Sequence, residues 1–363
     1  MAGEGDEGGA MIAHDHFTSA DAELTRKIGI FNSHDDFPII IAKQRFEGIY
    51  DSLRTYWIPQ FRAGGVNVVV GAIFTPTVYV PEGALRHALW ALDALFTEIE
   101  DNSNEIEVAL SASDIQRINA RGKIAVVVAL EGAEPSGQDL STLRLFHRLG
   151  LRMVSLTHAR RTLFGDGNFE NETRGGLSRA GRRAVQEMNR LGIIVDLTHA
   201  SDQTAWDILE ASTKPVIASH SNARAVRHHP RNLTDDMIRA IAAKGGVVGV
   251  VAVPNFVSEG EPTISKWVDH AEYMVKLVGI DHVGVGTDFF HYGWSLGAAP
   301  GIAESDWGPR SGYVRSEFAG MQNPADLPGL TAELRKRGFS EADLRKLYRD
   351  NYLRLMAAVA EGI

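Results

Sequence analysis

The strongest constraint on this chain is a recurrence. Eight short runs rich in Val and Ile, at 27–36, 66–76, 123–132, 151–159, 192–200, 214–221, 245–254 and 281–289, are separated by longer segments. Gly, Pro or polar residues bound each run. Runs that are apolar throughout suit strands covered on both faces, the setting of a parallel sheet. Helical spacing of apolar residues marks 83–101, 177–192, 201–212, 234–245 and 265–279, with two more helices at 340–349 and 351–361. Ser178 is placed to cap the second of these helices, and Gly192 to end it. Eight strand–helix alternations predict an α/β fold, a (β/α)8 barrel of the TIM type, as one catalytic domain over 21–363. A doubly wound open sheet is the alternative. It calls for a Gly-rich turn opening a helix after an early strand, whereas the glycines of "GVGVGTDF" lie inside the last strand.

In such a barrel the chemistry collects where the strands end at their C-terminal side. His34 and Asp36 follow the first run, Glu131 the third, His158 the fourth, His199 the fifth, His220 the sixth and Asp288 the last. The second and seventh runs end in "FTP" and "VP" and offer no ligand. Residues i and i+2 of a strand share a face. His34 and Asp36 are thus expected at the barrel mouth, with Asp35 pointing away and replaceable at little catalytic cost. One histidine at a strand end is commonly a hydrogen-bonded structural residue. Titratable groups at six of eight ends are a different matter, because so many buried charges need partners or a metal.

Composition narrows the metal chemistry. The chain has no cysteine, which excludes disulfides, zinc–thiolate sites and cysteine nucleophiles. Imidazole and carboxylate remain, and they suit zinc and similar divalent ions. Glu131 has two oxygens and can bridge two ions, with His199 and His220 completing the second. Lys123 and Lys214 precede strands, so neither can supply a bridging carboxylated lysine. The other histidines read as controls. "HDH" at 14–16 copies the HxD spacing beside a Gly-rich segment without a strand. His87, His147 and His270 fall in helices, His228 and His229 in a loop, and His282 at the wrong end of a strand. His291 is a candidate for supporting contacts.

Lys plus Arg is 37 and Asp plus Glu is 46, so the formal charge is 37 − 46 = −9. That argues against nucleic acid or an anionic membrane surface as main partner. No apolar run approaches the roughly 18 residues of a membrane span. Residues 1–20, opening "MAGEGDEGGA", read as a disordered leader without the layout of a signal peptide. A cytoplasmic protein is expected. The segment 291–327 reads as a long loop that could wall a pocket.

The motifs "SHDD", "ALEGAEP", "SLTHARRT", "GLSRAGRRAVQEMNRLGIIVDLTHAS", "IASHSNARAV", "RNLTDD" and "HVGVGTDF" together resemble the membrane (renal) dipeptidase family of the amidohydrolase superfamily. The resemblance runs from about residue 28 to the C-terminus. It implies a binuclear zinc dipeptidase: two divalent metal ions, one bound by His34 and Asp36, the other by His199 and His220, with Glu131 bridging. It further implies that His158 polarises the scissile carbonyl, that Asp288 transfers protons, and that Arg231 binds the substrate's terminal carboxylate. On the residues alone Arg231 reads equally well as a surface ion pair. Where the family often has Asp-Phe-Asp-Gly, this chain has Asp288-Phe289-Phe290-His291, a departure that touches the pocket and not the metal ligands. The signal, cysteines and lipid-anchor tail of mammalian members are missing, so a soluble bacterial-type member is the closer likeness. The expected substrate is a dipeptide with a free C-terminal carboxylate, L-D dipeptides included, and a homodimer is the assembly considered. The alternatives are another amidohydrolase acting on a lactam, an N-acyl amino acid or an ester, and a non-catalytic barrel that binds a small ligand.

Overall fold

The computed structural model describes residues 17–289 and 318–361. Nine strands form one parallel sheet: β1 (Ile30–Asp35), β2 (Val66–Phe74), β3 (Ile106–Val108), β4 (Ile124–Glu131), β5 (Leu151–Ser155), β6 (Ile194–Asp196), β7 (Val216–Ala218), β8 (Val247–Val250) and β9 (Val283–Val285). β2 pairs with both β1 and β4, and β1 pairs with β9, so the sheet closes on itself. Eight strands make the ring, each within an expected run.

β3 is the ninth and was not expected. It pairs with Ile124–Val126 of β4, while β5 takes Val128–Glu131. The two share one edge of a long strand, and β3 lies outside the closed ring. It is three residues long and partly exposed, too short for a periodicity to register. The helices Ala112–Ala120 and Leu140–Arg148 were also missed.

Alternation along the strands sorts the core. Val68, Val70 and Ala72 of β2 and Ala125, Val127 and Ala129 of β4 fall in one apolar cluster with Phe31, Ile194 and Ile217. Val69 and Ile73, with Val126, Val128 and Leu130, join the other cluster and pack against the helices. The first set fills the barrel and the second glues the helix layer to it.

The helix Arg179–Leu191 starts as expected, with the Ser178 hydroxyl accepting from the Gly181 N–H, and ends at Gly192 in the left-handed region at φ 70°. The expected leader reaches too far: Thr18 caps a helix at Ser19–Ile28 through a capping box with Asp21. The rest of that leader, 1–16, lies outside the described residues, as do 290–317 of the expected loop; Asn323 caps a short turn that leads into the helix Leu327–Lys336. The two expected C-terminal helices run on from one another, Glu341–Arg345 passing through a π-turn at Lys346–Asp350 into Asn351–Ala360. Among the described residues no helix is long and apolar enough to cross a membrane.

Candidate metal centre

The first strand delivers its two expected ligands differently from the simple alternation rule. Asn32 pairs with Val69 of β2 and Asp35 with Gly71, so three steps along β1 match two along β2. A register shift of this kind exchanges the faces beyond it. Ser33 stays inside the barrel, donating to the Ser219 carbonyl at 2.6 Å. Asp36 is not in the strand at all. It is the residue before the helix Phe37–Phe46, with φ −85° and ψ 10°, and its side chain makes no capping bond. It still reaches His34, Asp36 Oδ1 lying 3.5 Å from His34 Nε2. Asp35 is fully buried, with Oδ1 accepting from the Phe37 N–H at 3.1 Å. Replacing it therefore disturbs a buried, hydrogen-bonded group, a cost in stability that is separate from the catalytic cost considered from the sequence.

Glu131 ends β4 on the face of Ala125, Val127 and Ala129, which points it up the barrel axis. His158, His199 and His220 lie two or three residues beyond the ends of β5, β6 and β7, in the first turns of the loops. Two of the site residues have left-handed backbones, His199 at φ 69° and Asp288 at φ 53°. For residues other than Gly this conformation persists only where surroundings impose it. The His199 carbonyl accepts from the Asn168 N–H at 2.8 Å, and the Asp288 N–H donates to the His34 carbonyl at 3.2 Å.

All the expected ligands converge. Glu131 Oε1 lies 2.7 Å from His199 Nε2, 3.3 Å from His220 Nε2 and 3.6 Å from His34 Nε2. The Asp288 carboxylate is 3.9 Å from both His34 Nε2 and His220 Nε2. The His34 and His220 rings lie with centroids 3.7 Å apart, tilted by 39°, and those of His158 and His199 at 4.3 Å, tilted by 31°. Every one of these side chains is buried. Three groups of potential metal ligands overlap here: His34, Glu131 and His220; Glu131, His158 and His199; and His34, Asp36 and Asp288.

The electrostatics describe a pocket short of positive charge. Burial pushes Glu131 well above the usual carboxylate range and Asp288 up to about 6. Burial pushes His158, His199 and His220 well below 6.5, which leaves their imidazoles neutral, the form that ligates metals. His34 goes the other way: burial is outweighed by the surrounding carboxylates, Glu131 foremost, and it rises to about 10. The Arg231 guanidinium can only donate, so His199 Nε2, 3.2 Å from Arg231 Nη2, is an acceptor. Yet that nitrogen also faces Glu131 Oε1 and, at 3.2 Å, His220 Nε2. Acceptors crowded this closely need a proton or a cation between them, and the donor set of neutral imidazoles and carboxylates fits a divalent cation.

Arg231 is buried, not a surface ion pair. Its guanidinium lies over the ring of Phe256, 5.3 Å from Cζ to centroid, and its backbone N–H donates to His229 Nδ1 at 3.2 Å. His229, expected only as a loop residue, thus supports the arginine. Phe74, at the end of a strand expected to offer no ligand, stacks on His158 at 5.4 Å and 14°. Neither residue carries a sequence signal beyond its type. Three of the other control histidines are engaged elsewhere: His87 stacks on Tyr79, His270 bonds the Val257 carbonyl and His282 the Gly246 carbonyl. "HDH" at 14–16, Phe290 and His291 lie outside the described residues.

Known proteins share this architecture. The family model of membrane dipeptidase, peptidase family M19, matches residues 19–296. The chain is 31% identical to the dipeptidase verJ of Clonostachys rogersoniana, over 97% of this chain and 89% of that one. It is 31% identical to the dipeptidase aclJ of Aspergillus oryzae, over 95% and 81%. A metallo peptidase from Rhodobacter sphaeroides, solved with a phosphinate mimic of the dipeptide L-Ala-D-Ala, superposes with a TM-score of 0.79 at 27% identity, covering 91% of this chain and 99% of that one. The dipeptidase AC, a family M19 metallo peptidase, does so with a TM-score of 0.79 at 28% identity, over 91% and 98%. The chain therefore belongs to the membrane dipeptidase family, peptidase family M19, and is a metal-dependent hydrolase of dipeptides.

Proposed function

We propose that the barrel is one catalytic domain holding two divalent ions, zinc foremost, and that it cleaves dipeptides with a free C-terminal carboxylate, L-D dipeptides included. The observation that carries this reading is the place of Glu131. One of its oxygens, Oε1, lies within hydrogen-bonding or near-contact distance of all three imidazoles, 2.7 Å from His199 Nε2, 3.3 Å from His220 Nε2 and 3.6 Å from His34 Nε2. His34 and Asp36 would hold one ion, His199 and His220 the second, with Glu131 between them. Bound divalent ions supply a polarised carbonyl and a water acidified toward neutrality.

The chain's own groups divide the remaining work. Asp288 Oδ1 and Oδ2 lie beside His34 and His220, where the carboxylate takes the proton of the attacking water and returns it to the leaving amine. His158, held neutral by burial and braced by Phe74, offers an N–H to the carbonyl oxygen as it gains charge. Arg231 presents a fork of donors that suits a carboxylate, and a carboxylate held there sits one residue from the scissile bond. The mimic bound by the Rhodobacter sphaeroides relative has a D-residue at its C-terminal position, which supports including L-D substrates.

Metal analysis of the purified protein tests the first part. Close to two divalent ions per chain are expected; one ion, or none, would overturn the binuclear reading. A hydrolysis screen over L-L and L-D dipeptides, each free and C-terminally amidated, tests the second. Equal turnover of amidated substrates would contradict carboxylate recognition.

A further inference from the structure

His220 has a second nitrogen, and the structure shows what holds it. His220 Nδ1 is 2.8 Å from the Ser219 hydroxyl. That hydroxyl lies 2.5 Å from Asp196 Oδ2. Asp196 ends β6 on the inward face, and it is buried. Its other oxygen accepts the N–H groups of Thr198 at 2.9 Å and Ser219 at 3.0 Å. Among the described residues no cation pairs with it. Three donors converge on it instead, which is how a buried carboxylate is satisfied without a counter-ion.

The directions of these bonds follow by elimination. A carboxylate only accepts, so the Ser219 hydroxyl spends its single proton on Asp196. Toward His220 the hydroxyl then has only lone pairs to offer. His220 Nδ1 must carry the proton, and a neutral imidazole has just one. His220 Nε2 is therefore bare, and it is the nitrogen that faces Glu131 and His199. The serine is itself locked. The Ser33 hydroxyl donates to its carbonyl, and Gly249 and Gly286 leave room for that carbonyl: a Cβ on Gly286 would lie 1.8 Å from it.

We infer that Asp196 and Ser219 are positioning residues that hold His220 in its Nδ1–H tautomer, so that Nε2 is permanently available to the metal. His199 has no such support, since its Nδ1 finds no hydrogen bond among the described residues. The effect belongs to the ion held by His199 and His220 and leaves the His34–Asp36 ion untouched. The inference rests on the reading of His220 as a metal ligand. Outer contacts of this kind change metal affinity by about 10- to 100-fold.

Asp196→Asn is the decisive variant because it is nearly isosteric. Asn Oδ1 can keep both backbone bonds. Its Nδ2 then donates to the Ser219 hydroxyl, whose proton turns toward His220 Nδ1 and forces the Nε2–H tautomer. Nitrogen-15 NMR of the metal-free protein should show His220 protonated at Nδ1 in the wild type and at Nε2 in Asp196→Asn. Titration with zinc against a chelator should show one ion bound as in the wild type and the other about 10- to 100-fold more weakly. Ser219→Ala, which removes the relay without reversing it, should give mixed tautomers and a smaller loss. An unchanged His220 tautomer in Asp196→Asn overturns the inference, as does weakening of both ions alike. The ligand reading fails separately: His220→Ala that still binds two ions as tightly as the wild type would refute it, whatever the tautomer.

Discussion

Asp288 and His34 are tied together twice. The Asp288 N–H donates to the His34 carbonyl at 3.2 Å, and Asp288 Oδ1 lies 3.9 Å from His34 Nε2. The bond joins the turn after the last strand to the first strand at the barrel seam, so the proposed proton carrier is fixed by backbone to a proposed metal ligand. Asp288→Asn keeps that backbone bond and the side-chain shape. Turnover should fall by about 10²- to 10⁴-fold, the usual worth of a general acid–base group, with metal content unchanged. Steady-state kinetics with metal analysis on the same sample checks both halves; near-wild-type turnover removes the role.

Glu131→Gln replaces a charged oxygen that faces three imidazoles. Both ions should be lost on dialysis against a mild chelator that leaves the wild type loaded. A variant that keeps two ions would show that Glu131 does not bridge.

Arg231→Met removes the guanidinium while filling part of its buried volume. A hydrogen bond to a charged group is worth about 2 kcal/mol, or about 30-fold in binding. KM for free dipeptides should rise by that order, with kcat less affected and amidated substrates unchanged. An equal loss on amidated substrates would point to a structural role beside His199.

His270 predicts a pH effect remote from the metal site. It is fully buried, and burial pushes it down to about 4 from 6.5. Nδ1 accepts from the Ala223 N–H at 3.2 Å and Nε2 bonds the Val257 carbonyl at 3.0 Å, so the folded state needs the neutral ring. Between these two pKa values the unfolded chain binds the proton and the folded protein does not, so stability rises with pH across the window. The contribution is complete above pH 6.5 and is lost as pH falls toward 4, about 3 kcal/mol in all. Denaturant unfolding from pH 4 to 7 should show a shallower pH dependence in His270→Gln than in the wild type; parallel curves would refute the assignment.

Gly286→Ala should be costly. Its Cβ would meet the Ser219 carbonyl at 1.8 Å and the Ser33 hydroxyl at 2.7 Å, and a strand backbone cannot swing aside as a surface side chain does. Overpacking of this sort costs about 1–3 kcal/mol or more. A lower thermal midpoint is expected, and an unchanged one would mean that the backbone around Ser219 yields more easily than its packing suggests.

Much of this was legible in the chain. The eight apolar runs became the eight ring strands because both faces of a barrel strand are buried, which writes burial directly into composition. The convergence of the proposed ligands was legible because a barrel puts its strand ends on one rim, so residues far apart in sequence can be listed by position alone. Other features were not. β3 is too short to carry a period. Asp36 reaches the site from a helix start and not from strand alternation, because the register of β1 against β2 shifts near His34, and register is a property of two strands together. Phe74, His229 and Phe256 matter through what they touch, and each is an ordinary apolar or loop residue in the sequence.

The sequence by itself determined the barrel, the metal-binding residue types and the order in which they reach the rim, because these follow from local periodicity and from which side chains can ligate at all. Tertiary structure alone decided that Arg231 is buried beside His199, that Asp35 is buried behind the site, and that Asp196 stands beneath His220 through Ser219. Those are relations between strands and loops brought together by closure of the ring, and burial, direction and hydrogen-bond partner exist only once the ring has closed.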